Sequence, residues 1–224
     1  MSDDWYRRTS WSPTDEEEFF ARLKRSRGQF HKAQYLRIQA LYLQSEFPKE
    51  ALKLLEMIIE EYPEPFELSS TYLQKAQCLV AMNQKQKAIP WFRKVLESED
   101  ENTGVQTDGY LDYSTFIVTE ELTELYPEAK SILTKHVDRL MFPVDRYRWN
   151  MAMAIIEWSA SNRPEASKFA SLAIEASSEE KSGFRYHPNI GLVKKQDKRI
   201  QKLLNRISKA QPVASEDSAA RGIL

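Results

Sequence analysis

The side chains best suited to acid–base or metal chemistry near neutral pH are the three histidines, of which His187 is the most informative. Arg185 and Tyr186 precede it in an irregular segment, and these three side chains could bind an anionic ligand or partner. No cysteine or second histidine accompanies His187 at metal-ligand spacing. An enzyme centred on His187 is therefore an alternative only, and we predict no catalytic residue, no metal and no cofactor.

The rest of the chain lacks the short motifs of enzymes. It has neither a glycine-rich phosphate loop nor an H-E-x-x-H pair of metal ligands. Glu120 and Glu124 have the spacing of neighbours on a solvated helix face. His31 lies in a basic stretch and is expected at the surface, whereas His136 is expected to be a hydrogen-bonded interior residue.

The composition favours an all-α protein outside membranes. The chain has 224 residues, of which 42% are hydrophobic and only six are glycine. No stretch approaches the ~18–20 apolar residues that span a bilayer, and the acidic start has no apolar region of a secretory signal. The single cysteine, Cys78, excludes an internal disulfide and is expected to be an inert core residue. We therefore expect a cytoplasmic protein that makes no membrane contact.

The net charge of −1 conceals a strong charge difference along the chain. Residues 33–180 are acidic, whereas residues 181–224 contain ten basic and three acidic side chains. The basic segment either docks on the acidic part or binds an acidic partner such as nucleic acid. A nucleic-acid surface favours aromatic rings among its cations, and the predicted last helix has none, so we favour docking.

An alanine recurs at intervals of 37, 41 and 37 residues, which is the period of repeated helix pairs. A tyrosine stands sixteen residues before each of the first three alanines. The four alanines are Ala51, Ala88, Ala129 and Ala166, and the tyrosines are Tyr35, Tyr72 and Tyr113. This pattern predicts small residues where paired helices pack closely.

The chain is expected to divide into four kinds of segment. Ser12 and Asp15 predict the start of an N-terminal helix, and Gly28 is a plausible stop. A basic amphipathic helix from Lys194 is expected to cap the repeats with an apolar stripe, while Phe184 and Ile190 could plug their end. The segments are an aromatic leader and helix at 1–31, repeats at 32–178 (32–65, 66–109, 110–143 and 144–178), a loop and capping helix at 179–208, and a disordered tail at 209–224.

Tyr72, Ala76, Ala88 and Phe92 of the second block resemble the packing pattern of the tetratricopeptide repeat (TPR) superfamily. The opening Trp-Tyr-Arg and residues 34–40 are also similar to uncharacterised bacterial TPR-containing proteins. This resemblance implies a right-handed α-solenoid of about four helix pairs that binds a peptide on a concave face. The family register places these residues on that face: Leu73, Gln77, Ser114, Val118, Glu121, Arg148, Met151, Ile155 and Trp158.

These observations favour binding over catalysis. We expect a non-catalytic protein-interaction scaffold for a peptide or protein partner, in a bacterial defence or toxin–immunity setting. Two alternatives stay open at this point: a nucleic-acid-contacting adaptor that acts through residues 181–209, and the enzyme centred on His187.

Overall fold

A computed structural model describes residues 4–210, and all regular secondary structure in this range is helical. The prediction of an all-α fold is confirmed for this part of the chain. None of the helices in it combines the length and the apolar character that crossing a bilayer requires. Most of the predicted tail, residues 211–224, lies outside the described range. The chain divides into two compact units, Met1–Gly109 and Tyr110–Leu224.

Unit 1 is a set of five helices that pack in sequence. The helices α2 and α3 pack together, α3 packs on α4, α4 on α5, and α2 also contacts α4. Proline stands in the first turn of α1, α3 and α4, where its missing N–H costs little. The helices are α1 (Pro13–Arg25), α2 (Gln29–Leu43), α3 (Pro48–Glu61), α4 (Pro65–Ala81) and α5 (Lys85–Glu101).

The start of α1 is a capping box, as the sequence predicts. The Ser12 hydroxyl accepts a hydrogen bond from the Asp15 backbone N–H at 3.2 Å, and the Asp15 carboxylate accepts one from the Ser12 N–H at 2.9 Å. The predicted stop at Gly28 is wrong, because α1 ends at Arg25 and Ser26 caps it. Gly28 instead precedes α2 with φ of +82°, a conformation that glycine adopts without a steric penalty.

The aromatic leader forms part of the core of unit 1. Trp5, Tyr6 and Trp11 are half-buried and pack against a cluster that includes the fully buried Phe19 and Leu36. Large aromatic side chains remove much apolar area from water, and each Å² removed stabilises the fold by about 25 cal/mol. Trp5, Tyr6 and Trp11 thereby hold the described residues before α1, 4–12, on the helices that follow them.

Unit 2 contains five further helices, the first of which begins at the boundary residue Gly109. The helices α8 and α9 pack together, α7 packs on α8, and α10 packs on both α9 and α8. Two 3₁₀ turns, Thr123–Leu125 and Val137–Arg139, precede and follow α7. The helices are α6 (Gly109–Thr119), α7 (Tyr126–Lys135), α8 (Pro143–Ser159), α9 (Arg163–Ser178) and α10 (Lys198–Ser208).

The last helix starts later than the sequence predicts. It begins at Lys198 rather than Lys194, because Asp197 is the residue that caps it. The Asp197 carboxylate accepts hydrogen bonds from the backbone N–H groups of Arg199 and Ile200 at 2.6 and 3.3 Å.

The four recurring alanines are all fully buried. Ala51 and Ala88 lie in unit 1, and Ala129 and Ala166 lie in unit 2. Each one stands in the first two turns of its helix, namely α3, α5, α7 and α9. A fully buried methyl group at the same position in four helices is expected where neighbouring helices pack closely.

Ala51→Leu and Ala88→Leu should each destabilise unit 1. The added methylenes have no free volume to occupy, which costs roughly 1–3 kcal/mol of the free energy of unfolding. The measurement is thermal unfolding followed by circular dichroism at 222 nm. The control is Ala21→Leu, which places the same side chain on the exposed face of α1 and should leave Tm unchanged. Equal Tm values for all three variants would contradict close packing at the alanines.

The capping box should make stability depend on pH at acidic values. Hydrogen bonds from the Ser12 backbone and hydroxyl lower the pKa of Asp15 from 3.8 to about 2. A carboxyl with a depressed pKa in the folded state stabilises the fold above the unfolded-state pKa and loses this effect as pH falls through the folded-state value. Asp15→Asn should therefore lower Tm near pH 7, and its difference from the wild type should shrink between about pH 4 and 2.

The matched control for this measurement is Glu17→Gln on the same helix. Glu17 is exposed, and this variant should follow the wild-type Tm throughout the same pH range. A difference between Asp15→Asn and the wild type that stays constant down to pH 2 would contradict the capping role of the carboxylate.

Candidate partner-binding groove

The helix α10 is held on unit 2 by its apolar stripe. Ile200, Leu204 and Ile207 are buried, whereas Leu203 is half-buried. The Ser167 hydroxyl on α9 donates a hydrogen bond to the Ser208 carbonyl at 2.9 Å, at the C-terminal end of α10. The predicted inward orientation of the stripe is confirmed, and Leu203 is the member that keeps an exposed surface.

An open groove of about 270 Å³ runs beside α10. Its apolar walls come from α6, α7, α8 and α10, and its charged rim comes mainly from α10. The apolar lining consists of Val118, Tyr126, Ile155, Trp158, Ile200 and Leu203, and the charged lining of Glu121, Arg199 and Arg206.

Arg199 connects α10 to the end of α6. Its guanidinium donates to the Glu121 carboxylate at 2.9 Å and to the Thr119 carbonyl at 2.8 Å. The Arg199 and Glu121 side chains are 58% and 72% exposed, so this ion pair adds little to stability. Its effect is to place a cation and an anion side by side at one edge of the groove.

Two guanidinium groups lie close to the indole ring of Trp158. The guanidinium carbon of Arg163 lies 3.5 Å from the ring centroid, and that of Arg206 lies 5.8 Å from it. Arg163 also donates a hydrogen bond to the Trp158 carbonyl at 3.1 Å, which fixes the guanidinium on the ring. Trp158 is half-buried and presents the rest of its surface to the groove.

The residues predicted for a concave face in unit 2 have three different surroundings. Val118, Glu121, Ile155 and Trp158 meet at the groove. Val118 and Ile155 are themselves buried, with 2% and 7% exposure, whereas Ser114 and Met151 are buried and do not line the groove. Arg148 is engaged within the unit, because its guanidinium pairs with Asp112 and donates to the Thr115 hydroxyl.

The two predicted residues of unit 1, Leu73 and Gln77, lie on α4 and are half-buried. Their neighbour Gln74 is 6% exposed, and neither atom of its amide has a hydrogen-bond partner.

Arg185, Tyr186 and His187 are exposed on the segment between α9 and α10. Tyr186 is 80% exposed, and the Arg185 guanidinium lies 5.5 Å from its ring centroid. Within residues 4–210, the imidazole of His187 has no hydrogen-bond partner, and no three His, Cys, Asp or Glu side chains come together as metal ligands would. The surroundings of His187 therefore provide no acid–base pair.

The same segment covers less apolar surface than predicted. Phe184 and Ile190 are 40% and 48% exposed, although the Phe184 ring packs 5.2 Å from that of Phe142. The Gly191 carbonyl accepts a hydrogen bond from the Val144 N–H at 2.8 Å and ties the segment to the start of α8. Most of the apolar cover in this part of unit 2 comes from α10 instead.

The other two histidines and the cysteine lie in environments typical of structural residues. His31 is exposed, as predicted, and His136 is half-buried with its ring 5.4 Å from that of Tyr110. Cys78 is buried, and this burial raises the pKa of its thiol to about 12. The thiol therefore stays protonated and unreactive near neutral pH.

Sequence reasoning did not nominate seven of the residues that line the groove: Thr123, Tyr126, Ser159, Arg199, Ile200, Leu203 and Arg206. The amphipathic stripe of α10 contains a signal for Leu203, but which stripe member stays accessible depends on the angle at which the helix packs. No family model, curated protein or solved structure matches the chain. The support for a role of the groove is therefore its own geometry.

Leu204→Asp should release α10 from unit 2 and open the groove. A buried, unpaired carboxylate is strongly destabilising, and the variant also loses the ~1.5–3 kcal/mol of a buried leucine. Hydrogen exchange should rise in α9 and α10, and the control Asn205→Asp, at an exposed position one residue later, should leave it unchanged. Wild-type protection in Leu204→Asp would show that α10 is not held by its stripe.

Proposed function

We propose that this protein is a non-catalytic protein-interaction scaffold that binds a peptide or protein partner in the groove of unit 2. The observation that supports the proposal is the combination of an apolar floor with a charged rim. The half-buried Leu203 provides accessible apolar surface beside the buried Ile155, and Trp158 provides an aromatic surface of fixed orientation. Arg206 provides a guanidinium for a carboxylate or a carbonyl of the partner.

The dimensions of the groove favour an inserted side chain over a whole small molecule. A volume of about 270 Å³ that is open to solvent accommodates one or two large side chains, whereas ligand pockets generally enclose most of their ligand. A partner that inserts an apolar residue would cover Leu203 and Trp158, while its polar backbone meets the rim. This is the arrangement of an anchor residue at a protein interface.

The proposal includes a TPR-like architecture, a right-handed α-solenoid of about four helix pairs. Its support is the burial of the four alanines and the packing of consecutive helices within each unit, such as α4 on α5 and α8 on α9. The cytoplasmic location and the bacterial defence or toxin–immunity setting rest on the sequence alone. Within residues 4–210 the His187 imidazole has no acid–base partner, so the enzyme alternative gains no support. The nucleic-acid alternative gains none from α10, which has no aromatic residue.

A peptide selection tests the proposal, because it does not require a named partner. The full chain is immobilised, a random peptide library is displayed on phage, and the affinity of each enriched peptide is measured by calorimetry. We expect enriched peptides to carry a large apolar residue near an acidic one. Leu203→Glu and Arg206→Glu should each weaken their binding at least tenfold, because the first removes the apolar contact and the second reverses the charge of the rim.

The matched control is Lys195→Glu, which makes the same charge reversal at an exposed position outside the groove. This variant should bind the selected peptides as the wild type does. Failure to enrich any peptide, or equal losses in Lys195→Glu and Arg206→Glu, would reject the groove as the binding site.

A further inference from the structure

Unit 1 has a strongly basic surface where α1 ends and α2 begins. Residues 21–45 contain six basic and no acidic side chains. Lys24, Arg25 and Arg27 are exposed, and they form no ion pair within residues 4–210. Three neighbouring cations without anions repel one another, so an anionic ligand that relieved this repulsion would be attracted to them.

A shallow groove of about 500 Å³ lies within this surface. It is lined by Trp5, Arg22, Arg25, Ser26 and Tyr35. The groove therefore combines two flat aromatic side chains with two guanidinium groups and one hydroxyl.

The aromatic rings continue from the groove along the first turns of α2. The Tyr35 centroid lies 5.0 Å from that of Trp5, and 6.3 Å from that of His31 with the two planes only 23° apart. The Phe30 ring lies 5.5 Å from the His31 ring. Phe30 and His31 are exposed, and Phe30 exposes 38% of its surface although it is a large apolar residue.

The rings of the groove are held in place by the core beneath them. The Trp5 ring packs 5.2 Å from the ring of Phe19, which is fully buried, and Tyr6 packs 4.7 Å from Tyr35. Rings fixed in this way lose little conformational freedom when a ligand stacks on them, which lowers the entropic cost of binding.

We propose that this surface binds single-stranded nucleic acid. We call it the N-terminal platform and define it as Trp5, Arg25, Phe30, His31 and Tyr35. Single strands offer both groups that the platform can bind, because their unpaired bases stack on aromatic rings and their phosphates pair with cations. A duplex hides its bases, and a phosphoserine or phosphothreonine peptide offers a phosphate to the cations but no ring to stack on the exposed aromatic side chains.

The basic face of α10 differs from the N-terminal platform because it has cations without aromatic rings. It carries Lys198, Lys202 and Arg206, but no residue of α10 is aromatic. The rule that disfavours nucleic-acid binding at α10 therefore favours it at the N-terminal platform, where cations and accessible rings occur together.

The test measures fluorescence anisotropy of fluorescein-labelled, mixed-sequence 12-nucleotide RNA and DNA with the full chain between 50 and 200 mM salt. We expect binding that weakens with salt, since cations that pair with phosphates release counterions. Arg25→Glu should weaken binding at least tenfold and flatten the salt dependence. Phe30→Ala should weaken binding about fivefold or more, as loss of a stacked base does, and should leave the salt dependence unchanged.

The matched control is Lys202→Glu, which reverses one exposed charge on α10 and should bind as the wild type does. Circular dichroism of each variant verifies that the helices are retained. Any of four results would overturn the proposal: no binding of either strand at 50 mM salt, wild-type affinity in Arg25→Glu, an equal loss in Lys202→Glu, or equally tight binding of a duplex of the same length. Arg25-dependent binding of phosphatidylserine vesicles or a phosphotyrosine peptide, without binding of the oligonucleotides, would also overturn it and assign the cations to that ligand.

Discussion

Close helix packing at small side chains is the constraint on which both units depend. Ala51, Ala88, Ala129 and Ala166 are fully buried near the starts of four helices, where each presents only a methyl group to its neighbours. Interiors pack at nearly crystalline density, so the small volume at these positions determines how near the facing helices come. The larger side chains of each unit, such as Phe92 and Leu133, fill the space beside these contacts. This close packing therefore determines which side chains remain exposed on the outside of each unit.

The two candidate binding surfaces both contain cations, but the side chains next to those cations differ. In unit 2, Arg206 stands beside Leu203 and a tryptophan that is already covered on one side by Arg163. In unit 1, Arg25 stands beside rings whose faces are partly open to solvent. A cation at an apolar groove suits a side chain with an adjacent acidic group, whereas a cation among stacked rings suits a phosphate with an adjacent base. The chemistry of the neighbours, rather than the charge itself, separates the two surfaces.

Part of each unit was predictable because its causes are local. The capping box at Ser12 and Asp15 depends on residues three apart, and the stripe of α10 depends on spacings within two turns. Gly28 was predicted wrongly because glycine is compatible with the end of one helix and with the start of the next. The start of α10 was misplaced by four residues because Lys194 and Lys195 are good helix formers, while the capping carboxylate is Asp197.

The sequence by itself determined the helical class, the burial of the repeated alanines and the inward side of the last helix, because these follow from periodicity and local hydrogen bonding. Only the tertiary structure decided which of the nominated residues face a groove. Val118 and Ile155 line the groove of unit 2 and Ser114 and Met151 do not, although all four are buried and share one predicted face. The N-terminal platform likewise joins Trp5 to Tyr35 across thirty positions of sequence. Such contacts depend on how helices are placed in space, and no short-range pattern encodes that placement.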